Sequence, residues 1–337
     1  MEVYKNNSLK EIKFISGPRV TEVCESGMEE IIKEIETGFS QLSKGEAVSP
    51  PFINFSTEGL HGKEGHVHFK AGHVKGDDYF VFKYSAGFWG NQEEDIPIDT
   101  GFFMIFDART GQPVAMIEGG DFTLTDYRTA AAGAVAAKWL SRKESSKVGI
   151  IGNGIQAKLQ LIALEKVRPI KEAKVWGRNT EHVASYIDWI SKKSPNLNLT
   201  QCENTEDAVR DVDILITATP SSKSIIFPEW ISKGTHITGV GACGPTMQEL
   251  DAKVFEIPGV KIYADSIEAC ATNGDIHHAL EENVITRVQI KGDLGEVING
   301  KVEGRTSNDD ITITDLVGLG VQDAKIGNWF YKKISSK

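Results

Sequence analysis

The sequence predicts an α/β protein that combines a parallel, doubly wound sheet with a second, α+β domain. Short apolar runs alternate with helical segments from Lys147 onwards, and a glycine-rich turn joins the first of these runs to a helix. The section before residue 125 instead shows the alternation of antiparallel strands. Parallel strands need crossover helices, which cover both faces of the sheet, so such strands are apolar throughout. A chain of 337 residues is long enough for both domains.

The first section is expected to form a strand meander beside one helix. Helical spacing predicts a helix over residues 28–39, and β-branched or alternating residues predict strands over 67–73, 79–84 and 101–106. Residues 107–111, Asp-Ala-Arg-Thr-Gly, are typical of a hairpin turn, because glycine adopts the positive φ that such a turn requires.

The second section begins with an alanine-rich run after Thr129, AAAGAVAAKWL, which has strong helix propensity. A helix over residues 155–167 and a short helix capped by Thr205 separate further apolar runs. Those runs predict parallel strands and read VGIIG, AKVWG, DILITAT, HITGVG and KIYA. We assign residues 126–312 to this domain, and residues 1–125 with 313–337, whose tail is expected to be helical, to the other.

The composition excludes several classes of protein. A net charge of −10 leaves no basic stripe for nucleic acid. No run approaches eighteen apolar residues, and the N-terminus has charges where a signal peptide needs an apolar core. Four scattered cysteines form no CxxC pair, so neither a disulfide framework nor a zinc knuckle is expected. We expect a soluble, cytoplasmic protein that contacts neither membrane nor nucleic acid.

Four of the eight histidines lie between His61 and His73. Zinc sites usually add cysteine or carboxylate ligands to histidines. A solvated or substrate-facing strand is therefore the preferred interpretation, and no metal is expected.

The turn Gly152-Asn153-Gly154-Ile155-Gln156-Ala157 follows an apolar strand and opens a helix, which is the context of the Rossmann dinucleotide fingerprint. The first glycine allows the tight turn, and the second lets the backbone approach a pyrophosphate. Ala157 is the small residue at which helix and strand touch. The helix N-terminus offers unpaired N–H groups to the phosphates. All six residues are predicted to bind a dinucleotide, and the alternative is a glycine turn without a ligand.

The second strand of this domain ends in Val175-Trp176-Gly177-Arg178-Asn179. NAD sites usually place an acid near this point for the ribose hydroxyls, whereas an arginine can pair with the 2′-phosphate of NADP. Arg178 and Asn179 are therefore predicted to contact the cofactor, with NADP(H) favoured over NAD(H). The alternative is a solvated surface arginine.

Several ordered motifs resemble the ornithine cyclodeaminase/mu-crystallin family between residues 79 and 323, whereas the first seventy residues match poorly. The motifs are Phe82-Lys83-Tyr84 with Gly87, Asp107-x-x-Thr110-Gly111, Leu124-Thr125-Asp126-Tyr127-Arg128-Thr129-Ala130-Ala131, Gly152-Asn153-Gly154-Ile155-Gln156-Ala157, Thr217-Ala218-Thr219-Pro220, Glu249-Leu250, Gly304-Arg305 and Asp315-Leu316-Val317-Gly318.

The resemblance implies a homodimer that acts on a small amino or imino acid. Family members include NAD-dependent cyclising deaminases, alanine-type dehydrogenases and NAD(P)H-dependent ketimine reductases. Residues 1–125 and 313–337 would bind substrate and form the dimer. Lys83 and Arg128 match the positions that hold the substrate carboxylate. Thr217, Thr219 and Val240 would line the cofactor groove, with Asp315 near the nicotinamide.

The chemistry of Arg128 supports its assignment independently, since a bidentate arginine fixes a carboxylate in a plane. The alternatives are a surface lysine at Lys83 and a local cap or ion pair at Arg128. No arginine occurs between Arg19 and Arg109, where some members place another carboxylate ligand. Lys63 or Lys70 could substitute, and Lys70 lies on the predicted strand.

One departure bears on the reaction. Deaminating members of the family carry an aspartate near the place where Cys243 stands, and a neutral thiol can neither hold an ammonium group nor activate water as a carboxylate does. Cys243 is kept as a substrate-facing candidate. It could instead be a nucleophile, although no positioned base is evident, or simply fill space.

The leading hypothesis is an NAD(P)H-dependent oxidoreductase that interconverts an α-imino acid (ketimine) and an α-amino acid. Lys83 or a bound water would supply the proton. The first alternative is an ornithine cyclodeaminase-type enzyme. An alternative from another class is a catalytically weak, mu-crystallin-like ligand-binding protein.

Overall fold

A computed structural model describes residues 11–119 and 122–335. The strands are β1 (Lys13–Ile15), β2 (Ala47–Val48), β3 (Ile53–Glu58), β4 (Glu64–Val74), β5 (Tyr79–Phe88), β6 (Asp99–Asp107), β7 (Pro113–Glu118), β8 (Lys147–Ile151), β9 (Glu172–Trp176), β10 (Asn198–Gln201), β11 (Ile214–Thr217), β12 (Ser222–Ile226), β13 (His236–Gly239), β14 (Gln248–Leu250), β15 (Lys261–Ala264), β16 (Ile290–Asp293) and β17 (Thr312–Asp315).

The α-helices of the described residues are α1 (Gly17–Ser43), α2 (Leu124–Leu140), α3 (Ile155–Glu165), α4 (Thr180–Lys193), α5 (Thr205–Val209), α6 (Ile267–Cys270), α7 (Gly274–Glu281), α8 (Leu294–Ile298) and α9 (Gly320–Ser335). None of them is long and apolar enough to cross a membrane. The chain divides into two compact units. Unit 1 comprises Met1–Gly27, Lys44–Thr125 and Leu319–Lys337, and unit 2 comprises Met28–Ser43 and Asp126–Gly318.

Unit 1 contains a mostly antiparallel sheet in the order β1-β7-β6-β5-β4-β2, with β3 also paired to β4. The three strands predicted in this section lie within β4, β5 and β6, and Gly111 has a φ of +72° in the turn between β6 and β7. Helix α9 packs on one face of the sheet. A Cβ at Gly327 would lie 2.8 Å from Val81, so glycine allows this close approach.

The other face of this sheet is aromatic. Side chains alternate between the two faces along a strand, and cross-strand partners share a face. Ring centroids lie 5.4 to 6.1 Å apart along this face, within the range of favourable aromatic contacts. We call it the aromatic face, and it consists of Phe55, Phe69, Phe82, Tyr84 and Phe102.

Unit 2 is built on an eight-stranded parallel sheet in the order β10-β9-β8-β11-β13-β17-β15-β16. Buried apolar clusters lie on both of its faces. One gathers Val148, Ile150 and Ile214, and the other gathers Leu215, Ile237 and Ile313. Alternate residues of β11 therefore enter different cores, as a sheet covered on both faces requires. The predicted fold class, a Rossmann-type doubly wound sheet with a second α+β domain, is confirmed.

Two predicted boundaries are wrong. Residues 313–318 were assigned with the first domain as part of a helical tail, but β17 pairs in parallel with β13 and β15, so they belong to unit 2. The helix begins only at Gly320. Residues 28–43, which were also assigned to the first domain, belong to unit 2. The helix predicted over residues 28–39 is the middle of the longer α1. Ser40 there donates a 2.7 Å hydrogen bond to Asn299.

Short elements were also missed. The strands β10, β12, β14 and β16 are three to five residues long, and the sequence pattern did not predict them. The short helix at Thr205 is present as α5, but its cap is the preceding residue, since the Asn204 side chain accepts a hydrogen bond from the Asp207 N–H.

Candidate functional site

Gly152 follows β8 at the carboxyl edge of the parallel sheet. Its φ is +114°, a conformation that side chains disfavour. A Cβ there would lie 2.5 Å from the Ala218 carbonyl oxygen, and the Gly152 N–H donates to the Trp176 carbonyl at 2.8 Å. The tight turn between β8 and α3 therefore requires glycine for the fold itself.

Gly154 occupies the N-cap of α3, and no side chain caps the helix there. A Cβ at Gly154 would meet no atom within 4 Å, and the neighbouring Ile155 side chain is 38% exposed. Ala157 is fully buried, and its carbonyl accepts a 3.1 Å hydrogen bond from the Tyr186 hydroxyl. The first turn of α3 is thus held by the Tyr186 hydrogen bond at Ala157, while the space around Gly154 stays open. Such an end fits an anionic diphosphate group.

The two amides of the turn have different surroundings. The Asn153 amide packs against Gly177 at the end of β9, where its Nδ2 is buried and makes no hydrogen bond within the described part of the chain. The Gln156 amide nitrogen donates to Asp126 Oδ1 at 2.9 Å and so ties α3 to α2. One function of Gln156 is therefore structural.

Arg178 and Asn179 follow β9 and are both exposed. The Asn179 side chain accepts a 3.0 Å hydrogen bond from the His182 N–H and caps α4. The segment between Gly177 and Asn179 carries no acid. Arg178 is therefore the charged side chain at the position where a ribose-binding acid usually stands.

The loops after β11 and β13 carry the other predicted cofactor residues. Thr217 and Gly239 end the two strands in direct register. Thr217 and Val240 are buried. Thr219 donates to the Glu249 carboxylate twice, through its N–H at 2.6 Å and its hydroxyl at 2.7 Å. Glu249 was recognised only as part of a motif, and its contact with these loops was not predicted.

Asp315 ends β17, in register with Gly239, and is 1% exposed. Its Oδ2 accepts a 2.9 Å hydrogen bond from the Ile276 N–H. Burial, followed by the neighbouring Asp275 carboxyl, raises the pKa of Asp315 well above its usual range. The carboxyl group predicted to lie near the nicotinamide is thus enclosed in unit 2 and favours its neutral form.

Arg128 lies near the beginning of α2 and is 5% exposed. Its guanidinium group packs against Gly318, which follows β17 and has a φ of +81°. A Cβ at Gly318 would lie 2.6 Å from one terminal nitrogen of the guanidinium group. Glycine therefore provides the space that brings this positive charge to the end of β17.

Lys83 and Lys70 stand directly opposite each other on β5 and β4 of unit 1, and both are buried. The Lys70 ammonium lies 4.5 Å from the centroid of the Phe52 ring. Burial, with the charges of Lys70 and Lys83, lowers the pKa of His68 to about 4. Two buried ammonium groups beside a neutral histidine form a strongly positive region, which suits an anionic ligand. Lys83 is therefore not the surface lysine of the alternative interpretation.

Two other candidates for substrate binding, Lys63 and Cys243, have exposed side chains. Lys63 is half exposed and pairs with Glu93 at 2.7 Å. Cys243, on the loop after β13, is exposed, so the interpretation that it simply fills space is wrong.

Within residues 11–119 and 122–335, no group of three histidine, cysteine or acidic side chains could hold a metal ion.

The model of the ornithine cyclodeaminase/mu-crystallin family matches residues 18–337. The chain belongs to this family. Among the curated relatives, an uncharacterized cyclodeaminase of Sinorhizobium fredii is 34% identical over 307 residues, which cover 91% of each protein. The family resemblance drawn from the motifs is confirmed, and it extends to the N-terminal section that matched poorly.

Two solved structures are similar to this chain over nearly its whole length. The delta(1)-pyrroline-2-carboxylate reductase of Thermococcus litoralis, in complex with NADH and L-proline, has a TM-score of 0.88 at 30% identity, covering 96% of this chain and 98% of that chain. An archaeal alanine dehydrogenase dimer with bound NAD has a TM-score of 0.88 at 31% identity, covering 97% of each chain.

Proposed function

We propose that the chain is a nicotinamide-dependent oxidoreductase that interconverts an α-imino acid and an α-amino acid. The observation that supports this most directly is the N-terminus of α3, which no side chain caps and where a Cβ at Gly154 would meet no atom within 4 Å. The solved relatives add the chemistry, since one holds NADH with L-proline and the other holds NAD.

The cofactor would be held along the carboxyl edge of the parallel sheet. The turn from Gly152 to Ala157 binds the diphosphate, and Thr217, Thr219 and Val240 line the groove beyond it. Asp315 would support the nicotinamide end as a buried acid whose pKa is raised by burial. When bound, the nicotinamide supplies or accepts a hydride, and the protein orients it and excludes water.

Arg178 favours NADP(H) over NAD(H) in this proposal. Its exposed guanidinium group can pair with a 2′-phosphate, and no acid stands between Gly177 and Asn179 to bind a ribose diol. The two solved relatives contain NADH and NAD, so the preference needs a direct test. Titrating both reduced cofactors by fluorescence provides it, and tighter binding of NADH would refute the preference.

The substrate carboxylate would be bound by Arg128 and Lys83, with Lys70 adding positive charge. Both side chains are buried, so their charge is poorly screened by water. Lys83 or a bound water supplies the proton. Cys243 contributes a neutral group near the substrate, which favours reductase or dehydrogenase chemistry over the cyclodeaminase reaction of some relatives.

We assign dimer formation to unit 1, which also carries the substrate-binding candidates Lys83 and Lys70. Its aromatic face includes Phe55, which is 49% exposed, and the adjoining Ile53 is 63% exposed. Exposed apolar surface of this kind marks interfaces. The archaeal alanine dehydrogenase is a dimer, and we propose that a second copy of this chain covers the aromatic face.

Absorbance of the reduced nicotinamide tests the reaction. NADPH or NADH would be incubated with pyrroline- and piperideine-carboxylates, and with oxo acids supplied with ammonia or methylamine. We expect oxidation of the cofactor with at least one imino acid. Ammonia release from ornithine or diaminobutyrate without net redox change would establish the cyclodeaminase alternative. Tight cofactor binding without turnover would establish the ligand-binding alternative.

A further inference from the structure

Three carboxyl groups of unit 2, those of Glu249, Asp275 and Asp315, are almost completely buried at the carboxyl edge of the parallel sheet. We call them the acid chain. A Cβ at Gly239 would lie 3.4 Å from Asp275 Oδ2 and 3.7 Å from Asp315 Oδ1, so these two oxygens converge on the end of β13. Neither oxygen makes a hydrogen bond within the described part of the chain.

Glu249 connects the loops that follow β11 and β13. Its Oε1 accepts from the Thr219 N–H and hydroxyl, and its Oε2 accepts from the Gly241 N–H at 3.0 Å. The loops approach so closely that a Cβ at Gly241 would collide with the Thr219 backbone and with the Glu249 carboxylate. Both loops belong to the proposed cofactor groove, so one buried carboxylate determines their spacing.

Asp275 in turn fixes the strand that carries Glu249. Asp275 Oδ1 accepts hydrogen bonds from the N–H groups of Glu249 and Leu250, at 2.7 and 2.9 Å. The next residue, Ile276, donates its N–H to Asp315. Each carboxyl group of the acid chain therefore holds the backbone of a neighbouring element, from β17 through α7 and β14 to the two loops.

We propose that Glu249 is a positioning residue for the cofactor groove. Its ionised carboxylate holds the loops after β11 and β13 in the arrangement that binds the nicotinamide dinucleotide, and its protonation loosens them. The inference rests on the proposed cofactor site and adds to it a residue that acts through Thr219 and Gly241 rather than through the ligand.

The surroundings of Glu249 allow it to titrate near neutrality. Its hydrogen-bond donors are neutral groups, and burial raises its pKa to about 7, against the lowering effect of the Thr219 hydrogen bonds. The titratable groups beside Glu249 include Asp275 of α7 and Asp315 of β17, and His278 of α7 contacts the Met247 carbonyl two residues before it. The paired strand β12 carries Lys223, and α7 also carries His277 and Glu281. A carboxylate accepts at both oxygens, whereas a neutral acid must donate from one of them. Acidification therefore replaces one acceptor by a donor.

Glu249→Gln tests the proposal, because the amide imitates the neutral acid at every pH. Dissociation constants for NADH would be measured by fluorescence from pH 6 to pH 9. NADH is the probe because the 2′-phosphate of NADPH itself titrates near pH 6. The matched control is Asp293→Asn, which removes a half-buried carboxyl of unit 2. Asp293 accepts from the Ile267 N–H, its pKa is raised to about 6 by burial, and it contacts neither loop.

We expect the wild type and Asp293→Asn to bind NADH more tightly as pH rises through about 7. Glu249→Gln should bind NADH about ten-fold more weakly than the wild type at pH 8, because its amide nitrogen is a buried donor that faces other donors. At pH 6 the NADH affinities of the two proteins should be similar. The kcat of Glu249→Gln at saturating cofactor should change far less than its KM for cofactor. Equal affinity and an unchanged pH profile in Glu249→Gln would overturn the inference.

Thr219→Val gives a second readout if Glu249→Gln folds poorly. Loss of the Thr219 hydroxyl removes a bond that lowers the pKa of Glu249, so the midpoint of the pH profile should move upward. An unmoved midpoint would also overturn the inference. Failure of the wild type to bind either NADH or NADPH at any pH would instead contradict the proposed function.

Discussion

At the scale of single residues, Gly152 and Gly154 are glycines for different reasons. Gly152 needs its positive φ and has no space for a Cβ, whereas Gly154 has an ordinary φ of −82° and open space around it. Gly152→Ala should destabilise unit 2 by about 1–3 kcal/mol, as strain and overpacking do. Gly154→Ala should retain the wild-type melting temperature to within a few degrees yet weaken cofactor binding at least about ten-fold, because its Cβ occupies the phosphate approach.

Calorimetry and cofactor titration on the same two variants separate these effects. A Gly154→Ala protein that binds cofactor like the wild type would contradict the placement of the diphosphate. An equally stable Gly152→Ala protein would contradict the strained turn.

Arg128 is the residue on which substrate binding depends most. Arg128→Ala should lower kcat/KM for the imino acid by about a hundred-fold or more, since a buried charged hydrogen-bond pair is lost. Its cofactor affinity should change little. Arg287→Ala is the control, because Arg287 is half exposed, lies in the same unit and pairs with exposed Glu268. Steady-state kinetics with both variants make the comparison, and unchanged turnover in Arg128→Ala would exclude the carboxylate clamp.

Arg178 should determine which cofactor is preferred. Arg178→Ala should weaken NADPH binding by about five- to ten-fold, the value of a partly exposed phosphate pair, while NADH binding stays the same. Arg210→Ala is a suitable control, since Arg210 is also an exposed arginine of unit 2 and bonds Glu206. Parallel fluorescence titrations measure both affinities. Equal weakening of NADPH and NADH would show that Arg178 does not read the 2′-phosphate.

At the scale of elements, the strands β3 to β6 present the aromatic face that we propose to be the dimer interface. Ile53→Asp with Phe55→Asp places two charges among exposed apolar side chains, which an interface core excludes. Light scattering should then report the mass of the 36.9 kDa chain instead of a dimer. Val288→Asp, at a side chain 93% exposed in unit 2, should leave the mass unchanged. A double variant that stays dimeric would place the interface elsewhere.

Elements whose signals are local could be predicted from the sequence. The turn from Gly152 to Ala157 and the helix α3 were identified because glycine spacing and helical periodicity lie within one short segment. The strand β17 was read as helix because four residues, Thr312 to Asp315, show no clear period before the long helix α9 begins. Only its pairing with β13 and β15 reveals the strand, and such pairing is not local.

The acid chain could not be predicted for the same reason. Glu249 and Asp275 are 26 residues apart in the sequence, and Ile276, which follows Asp275, is 39 residues from Asp315. Acidic side chains are usually exposed, so each alone suggests a surface position. β11, β13 and β17 are in parallel register, with Thr217, Gly239 and Asp315 at their ends, and this register brings the three acids together at one edge of the sheet. The Glu249-Leu250 motif marked the position without indicating burial.

At the scale of the whole molecule, buried titratable groups make stability depend on pH in two opposite directions. His236 is fully buried, and burial holds its pKa well below 6.5. Below pH 6.5 the unfolded chain therefore binds a proton at His236 that the folded chain does not bind. The stability that His236 contributes as a neutral group is lost as pH falls below 6.5. In the acid chain, burial raises the pKa of Glu249 to about 7 and that of Asp275 to about 8. Their contribution is lost as pH rises from about 4 towards 8.

Asp275→Asn should therefore stabilise unit 2 at pH 8.5 by about 1–2 kcal/mol, and much less at pH 5, because the amide never ionises. Its oxygen can still accept from the N–H groups of Glu249 and Leu250. Asp310→Asn is a control of opposite sign, since Asp310 pairs with Lys261 at 2.8 Å and its pKa is lowered. That variant should be less stable than the wild type at pH 8.5. Differential scanning calorimetry at pH 5, 7 and 8.5 measures the stability of both variants. If Asp275→Asn melts like the wild type at every pH, ionisation of Asp275 does not destabilise the folded protein, and the prediction is wrong.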